Sequence, residues 1–331
     1  MRYIIVGSRV PSDVVGITLL SFDPQTGEVA FVNSFGDILH PAYQCWDPQR
    51  RILYSVAERK DGAVVGWHID PSLTFMQTFK AASLGSGPCH LALSDDGKAL
   101  SVSNYGGGSI SLIALEEGLL SNYFEQYEGS GPVEERQEAS HVHSSLFADG
   151  SSALLVADLG ADKIHYYRNS MQLHDVIDAP PGSGPRHMAL SRDERYLFVA
   201  AELSSEVLVY RMGKNPSLVQ QISTLPVGFS EHNTVSHIHI SEDGTFLYVG
   251  NRGHDSLAVF GIKDGWLSRV GHSFTERTPW NFAFSDDERF VIVANTDSDS
   301  VTVYPRDQES GLLAPLVSRI GVDRPSCITL I

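Results

Sequence analysis

From one end to the other, the chain is built of short runs in which apolar and polar positions alternate, as in RYLFVAAELSSEVLVY and GTFLYVGNRGHDSLAVF. A period of two, with Val, Ile, Tyr and Phe enriched, predicts β-strands. Gly, Asp, Asn and Ser gather between the runs and predict turns. Almost no segment shows the 3.6-residue periodicity of an amphipathic helix.

The runs also repeat. GSGPCHLAL at 85–93 and GSGPRHMAL at 182–190 differ at two of nine positions, Leu91 against Met188 and Cys89 against Arg186. The longer phrase has an entry segment, a strand, a D-G or D-E turn, a second strand, a polar loop and a third strand. It starts at Pro41, Pro88, His141, Pro185, Val235, Pro279 and Pro325. A unit of 40–50 residues with about four strands is the signature of a β-propeller blade. The seventh copy stops at Ile331, and RYIIVGSRVPSDVVGITLLSF at the start supplies the strands it lacks. The expectation is an all-β, seven-bladed β-propeller in a single domain, residues 1–331, with N-terminal strands completing the blade that the C-terminal strand begins. That closure removes exposed sheet edges.

Composition narrows the function. The 331 residues are 42% hydrophobic and 19% charged, as in a soluble globular protein. Twenty-four basic against 40 acidic residues leave a net charge of −16. That field opposes nucleic acid and anionic membranes, and an anionic small substrate would need a local basic pocket. No apolar run reaches the ~18–20 residues of a membrane helix, and Gly7, Ser8 and Arg9 interrupt the N-terminal run too early for a signal peptide. Three distant cysteines, Cys45, Cys89 and Cys327, read as free thiols of a cytoplasmic protein. The glycines of NYGGGS and GSGP open no helix and read as turns, not phosphate loops.

Candidate chemistry lies where the repeat is broken. In a propeller, the start of each blade's first strand and the end of its second fall at one mouth of the central channel. The third entry residues are Tyr43, His90, His143, His187, His237, Asn281 and Cys327, with Arg186 and Trp280 one place earlier. The second strands end near Glu58, Tyr105, Leu159, Glu202, Arg252 and Thr296, with Arg9 from the N-terminal strand. A purely structural repeat would place similar small or apolar residues there, whereas imidazoles, guanidiniums and carboxylates gather instead. Guanidinium favours bidentate contact with carboxylate or phosphate, so the arginines supply the basic patch an anionic substrate requires.

GSGPVEERQEASHVHSSLFADG, VADLGADKI, GSGPRHMAL, AAELSSEV and HIHISEDGTFLYVGNRGHDSLAVF resemble the bacterial 6-phosphogluconolactonase family of seven-bladed propellers. That family also includes the fungal carboxymuconate cyclase. The resemblance implies hydrolysis of a sugar-acid lactone, 6-phosphogluconolactone first, within the pentose phosphate pathway, with no cofactor and no metal. It marks His143, Glu202, Arg186 and Arg252 as catalytic. His141, His187, His237, Tyr105, Arg9 and Trp280 are expected to bind substrate. The sixth copy departs from the family's usual P-R-x-F by reading PWNF, with Trp280 in place of arginine, and the fourth reads Ala201-Glu202-Leu203 instead of N-E-L.

Opening a lactone with water needs a base, oxyanion stabilisation and a proton for the leaving alkoxide. His143 or Glu202 is the expected base, and Arg186 and Arg252 orient the anionic group or the oxyanion. The same groups can close a lactone, so a cyclase is one alternative. A platform for protein partners is another, although Trp46, Trp67, Trp266 and Trp280 are scattered among blades and not gathered in a patch. Ser144 lacks a G-x-S-x-G elbow. His141 with His143, His237 with His239, and Asp158 could hold zinc, with packing of one histidine in each pair as the plainer reading. Residues 128–141 form the longest insertion and precede His143. Oligomeric state is not legible, since a closed propeller needs no partner.

Overall fold

A computed structural model describes residues 1–10, 16–35, 38–115, 123–168 and 171–331. Among them, the chain forms seven four-stranded antiparallel sheets and a single 3-10 turn at Thr296–Ser298, which is the seven-bladed all-β architecture the repeat predicts. No helix among the described residues is long and apolar enough to cross a membrane.

The chain divides into two compact units. Residues 38–186 carry blade 1 (Gln44–Asp47, Ile52–Ala57, Ala63–Ile69, Phe75–Ala82) and blade 2 (Pro88–Leu93, Ala99–Asn104, Ser109–Ala114, Tyr123–Gln126). They also carry blade 3 (Val142–Ala148, Ala153–Asp158, Lys163–Arg168, Gln172–Asp178). Tyr54, Val56, Leu91, Leu100 and Val102 pack blade 1 to blade 2. Ile110, Val142, Leu154, Val156 and Tyr167 pack blade 2 to blade 3.

The other unit takes residues 1–37 and 187–331. Blade 4 (Pro185–Leu190, Tyr196–Ala201, Glu206–Arg211, Ser217–Ser223) crosses into it after Arg186. Blade 5 (Thr234–Ile240, Phe246–Arg252, Ser256–Lys263, Trp266–Phe274) and blade 6 (Pro279–Phe284, Phe290–Asn295, Ser300–Pro305, Ser318–Gly321) follow. Blade 7 joins the two ends of the sequence, in the order Pro325–Leu330, Arg2–Ser8, Ile17–Phe22 and Val29–Phe35. Ile5 pairs with Thr329 and Val6 with Ile328, so the N-terminal strands complete this blade as expected. Residues 11–15 of the N-terminal phrase lie outside the described residues.

The second strands are buried on both faces between neighbouring blades, as in Ala153–Asp158 and Phe290–Asn295, so their burial does not alternate; Val199, Val207, Val249, Val291 and Val293 are fully buried. Each such side chain is worth ~1.5–3 kcal/mol relative to exposure. The GSGP phrases are turns. Gly87 and Gly184 take φ of 60° and 64°, and Asp162 accepts the amides of Gly182 and Gly184 at 2.6 and 2.7 Å.

A β-bulge recurs where the first strand enters its sheet. In blade 2 Pro88 faces Asn104 while His90 faces Ser103, so Cys89 is the extra residue. The same offset makes His143 the extra residue of blade 3, Trp280 that of blade 6 and Ser326 that of blade 7. A bulge turns its residue out of the alternation and re-aims the side chain. The pairing corrects one sequence alignment. His143 occupies the second entry place, with Cys89 and Trp280, and Ser144 takes the place of His90. The shift arises in the hairpin turn. Gly97 is left-handed at the third turn position of blade 2, whereas blade 3 puts Ser151 there, at φ 68°, and its Asp149-Gly150 pair falls one place earlier.

Candidate active site

In the unit of residues 38–186, the bulge of blade 3 sets His143 against Cys89 of blade 2. The Cys89 thiol lies 3.9 Å from His143 Nδ1 and donates to the His143 carbonyl at 3.2 Å. Tyr105, at the end of the second strand of blade 2, presents its ring edge-on to His143 at 5.4 Å and stacks on His141 at 4.5 Å. His141 is held at both nitrogens, with Nδ1 3.0 Å from the Tyr105 carbonyl oxygen and Nε2 3.1 Å from Glu138 Oε1. Arg136 Nη2 donates to the Tyr105 hydroxyl at 3.4 Å. The insertion at 128–141 thus grips the residues expected to bind substrate. Glu138 and Arg136 had no signal in the sequence beyond the length of that insertion.

Arg186 is the largest fully buried side chain among the described residues, 1% exposed. Its carbonyl accepts the Ser144 hydroxyl at 2.6 Å, which commits Ser144 to structure. Burial, helped by the Arg186 charge, pushes the imidazole of His90 down to about 3. His90 also accepts the Ser145 amide on Nδ1 at 3.5 Å and packs on Tyr43 at 4.3 Å.

Asp158 is occupied as well. It accepts the Ser140 hydroxyl at 2.6 Å and the amides of His141, Gly160 and Ala161 at 2.8, 3.0 and 3.1 Å. Burial opposes its charge, but the neighbouring His165 imidazole, 3.9 Å away, and the hydrogen bonds from Ser140 and the backbone prevail and hold it below the usual carboxylate range. Its oxygens are spent on the turn, which removes it from the zinc set considered above. Among the described residues, no three His, Cys, Asp or Glu side chains are placed to hold a metal.

In the other unit, the ends of the second strands of blades 4 and 5 bring Glu202 and Arg252 together. Glu202 Oε2 lies 3.0 Å from Arg252 Nη2, with the two side chains 3% and 9% exposed. The same nitrogen donates to the Val235 carbonyl at 2.9 Å. Trp280, re-aimed by the bulge of blade 6, has two guanidiniums against its ring. Arg252 Cζ lies 4.4 Å from the ring centroid and Arg9 Cζ 4.8 Å. Cation–π contact is strongest on indole and grows with desolvation, so the tryptophan in the usual arginine's place fixes two other arginines.

His187 and His237 meet Nδ1 to Nδ1 at 2.9 Å. His239 stacks on Phe284 at 4.8 Å, and burial pushes it down to about 4, so in this His-x-His pair His239 is the packing member. Asn281 accepts the Ile328 amide at 2.9 Å and is structural. Within this unit the structure brings Glu202, Arg252, Trp280 and Arg9 into one contacting group, and His187 with His237 into another. Within the first unit it joins His143, Tyr105 and His141. The repeat pointed to most of these residues, to His143 in a register that the bulge corrects, but it contained no signal for the Cys89–His143 and His187–His237 contacts, which depend on where neighbouring blades meet.

The family model of the seven-bladed β-propeller lactonases matches residues 3–330. The 6-phosphogluconolactonase of Bacillus subtilis is 31% identical, over 98% of this chain and 96% of the relative. That of Formosa agariphila is also 31% identical, over 95% of each chain. Among solved structures, the periplasmic gluconolactonase PpgL of Pseudomonas aeruginosa superposes with a TM-score of 0.91 at 30% identity, covering 100% of this chain and 99% of that one. A protein from Lactobacillus plantarum superposes at 0.92 with 29% identity and 100% coverage of both. With its fold, its seven-fold repeat and nearly every residue matched, the chain belongs to the seven-bladed β-propeller lactonase family.

Proposed function

We propose that the protein hydrolyses a sugar-acid lactone, 6-phosphogluconolactone to 6-phosphogluconate in the first instance. The observation that carries this reading is the Glu202–Arg252–Trp280–Arg9 group, two guanidiniums fixed on one indole in a chain whose net charge is −16. A body of that charge repels an anion at long range, so cations held in place by an ion pair and a ring mark where one is welcome. The names of the relatives support the same class of substrate.

In the proposed reaction, Glu202 and the Val235 carbonyl orient Arg252, and Arg252 and Arg9 hold the substrate's anionic group or the oxyanion that forms as water adds to the carbonyl. Preorganised donors of this kind act without rearranging at the moment of reaction. Because Glu202 is engaged with Arg252, His143 is our choice of base toward water. Its imidazole is held between a thiol and an aromatic edge. Arg186 is assigned a catalytic role alongside it on the family resemblance.

Proton release at constant pH, corrected for spontaneous hydrolysis, tests the reading with 6-phosphogluconolactone and unphosphorylated gluconolactone side by side. Wild type should open the phosphorylated lactone faster. Arg252→Ala and Arg186→Ala should each lose roughly 10²–10³-fold in kcat/KM, the scale of one lost oxyanion donor. Activity confined to the unphosphorylated lactone would assign Trp280 to a neutral-sugar pocket and correct the substrate. No turnover of either lactone would overturn the proposal.

A further inference from the structure

The third entry residues of blades 4 and 5 are both histidines, and nothing in the repeat requires them to meet. Their Nδ1 atoms lie 2.9 Å apart, with the rings at 87° and 5.2 Å between centroids. Two imidazole nitrogens at this distance need one hydrogen between them, so one Nδ1 donates and the other accepts. The accepting ring keeps a lone pair on Nδ1, is therefore neutral and carries its hydrogen on Nε2. The donating ring is left with one titrating position, its own Nε2. While the bond stands, the two rings together exchange a single proton.

Burial distinguishes the partners. His187 is 5% exposed, whereas His237 is half-buried and is the ring with surface to offer a ligand. Phe282 of blade 6 lies at 5.0 Å from His237 and His239 of its own strand at 6.2 Å. On the same strand pair, Arg252 is anchored on the carbonyl of Val235, two residues before His237, and pairs with Glu202. Arg186 precedes His187 in the chain.

We propose that His237 is the general acid of lactone opening and that His187 is its positioning residue, an inference that rests on the lactonase reading. Once water has added to the carbonyl carbon and passed its proton to the base, the tetrahedral adduct expels the ring oxygen. The C–O bond breaks with its electron pair on that oxygen, and the hydrogen on His237 Nε2 passes to it, forming the hydroxyl of the hydroxy acid. His237 is left neutral, still donating through Nδ1 to His187, and regains a proton from solvent. An alkoxide is too basic to leave unprotonated at neutral pH, so this transfer supplies what the arginines cannot.

The dependence on leaving group tests it. Gluconolactone and its 6-phosphate expel an alkoxide, whereas dihydrocoumarin expels a phenolate that needs no proton. In His237→Asn, the alkyl lactone that wild type turns over should lose ~100-fold or more in kcat, within the usual range for a general acid. Dihydrocoumarin should stay within about 3-fold, and the alkaline limb of kcat/KM for the alkyl lactone should vanish. His187→Asn, which can still accept from His237, should keep that limb at a displaced pH, while His187→Ala should resemble the His237 variant. Equal losses on both lactones, with unchanged melting temperatures, would make the pair structural and overturn the assignment.

If dihydrocoumarin is not a substrate, an intact alkaline limb in His237→Asn overturns it alone. Nitrogen-15 NMR of the histidines supplies a reading independent of turnover: two separate protonations of these rings above pH 5 would also overturn it. Silence of wild type on every lactone would instead sink the parent reading, recognisable because no variant is needed to see it.

Discussion

Arg252 is held by one carboxylate, one carbonyl and one indole. A guanidinium so constrained loses little entropy when it meets an anion, which is why burying the Glu202–Arg252 pair can serve recognition even where it adds little stability. The histidines show the opposite use of burial. His90 is pushed to about 3 by burial and the Arg186 charge, and His239 to about 4 by burial alone. Both lie below the ordinary value of ~6.5, so the unfolded chain takes up protons that the folded chain refuses. Their contribution to stability is complete above ~6.5 and is lost as pH falls toward 4 and then 3. The thermal midpoint should therefore decline between pH 6.5 and 4, and His239→Phe, which keeps the ring stacked on Phe284, should flatten roughly half of that decline. A variant with the same slope as wild type would show that His239 is protonated in the fold.

At the scale of the strand and its turn, one hairpin geometry is used with different residues. The third turn position is left-handed at Gly97 and Gly244, with φ of 69° and 74°, and equally at Glu194 and Glu288, with φ of 53° and 52°. Gly244 faces open space, so only its backbone conformation is at stake. Gly244→Ala should cost about 1 kcal/mol in denaturant unfolding with the slope unchanged, and a neutral result would mean the turn relaxes. The same position explains what the sequence could and could not show. Strands, turns, the blade count and the joined ends were legible because alternation and turn chemistry are local. The alignment of His143 was not, because it relied on the Asp-Gly pair while the true constraint is the left-handed third residue, which Ser151 satisfies without glycine. The contacts of Cys89 with His143 and of His187 with His237 were hidden for a related reason. They join different blades, and a repeat compares blades without showing where their first strands touch.

Across the whole molecule, every sheet is antiparallel and built mainly from consecutive strands, except that blade 7 takes its first strand from the far end of the sequence. That strand supplies the ladder partner of Arg2–Ser8 and places Ile328 in the core with Ile4, Val6, Phe290 and Ile292. Asn281 of blade 6 receives its amide at Ile328, and Thr296 donates to the Pro325 carbonyl at 2.7 Å. Deleting residues 325–331 would strip one side of Arg2–Ser8 of hydrogen-bond partners while leaving its apolar residues Ile4, Ile5 and Val6 in place. An apolar strand with an open edge pairs with whatever chain is offered. The truncated protein should associate in light scattering at micromolar concentration and unfold at lower denaturant over a broader range. Adding a peptide of residues 323–331 should reverse both effects by restoring the ladder. A truncated chain that stays monomeric with the wild-type midpoint would show that blade 7 stands on three strands, and that joining the two ends of the sequence contributes nothing to holding the fold.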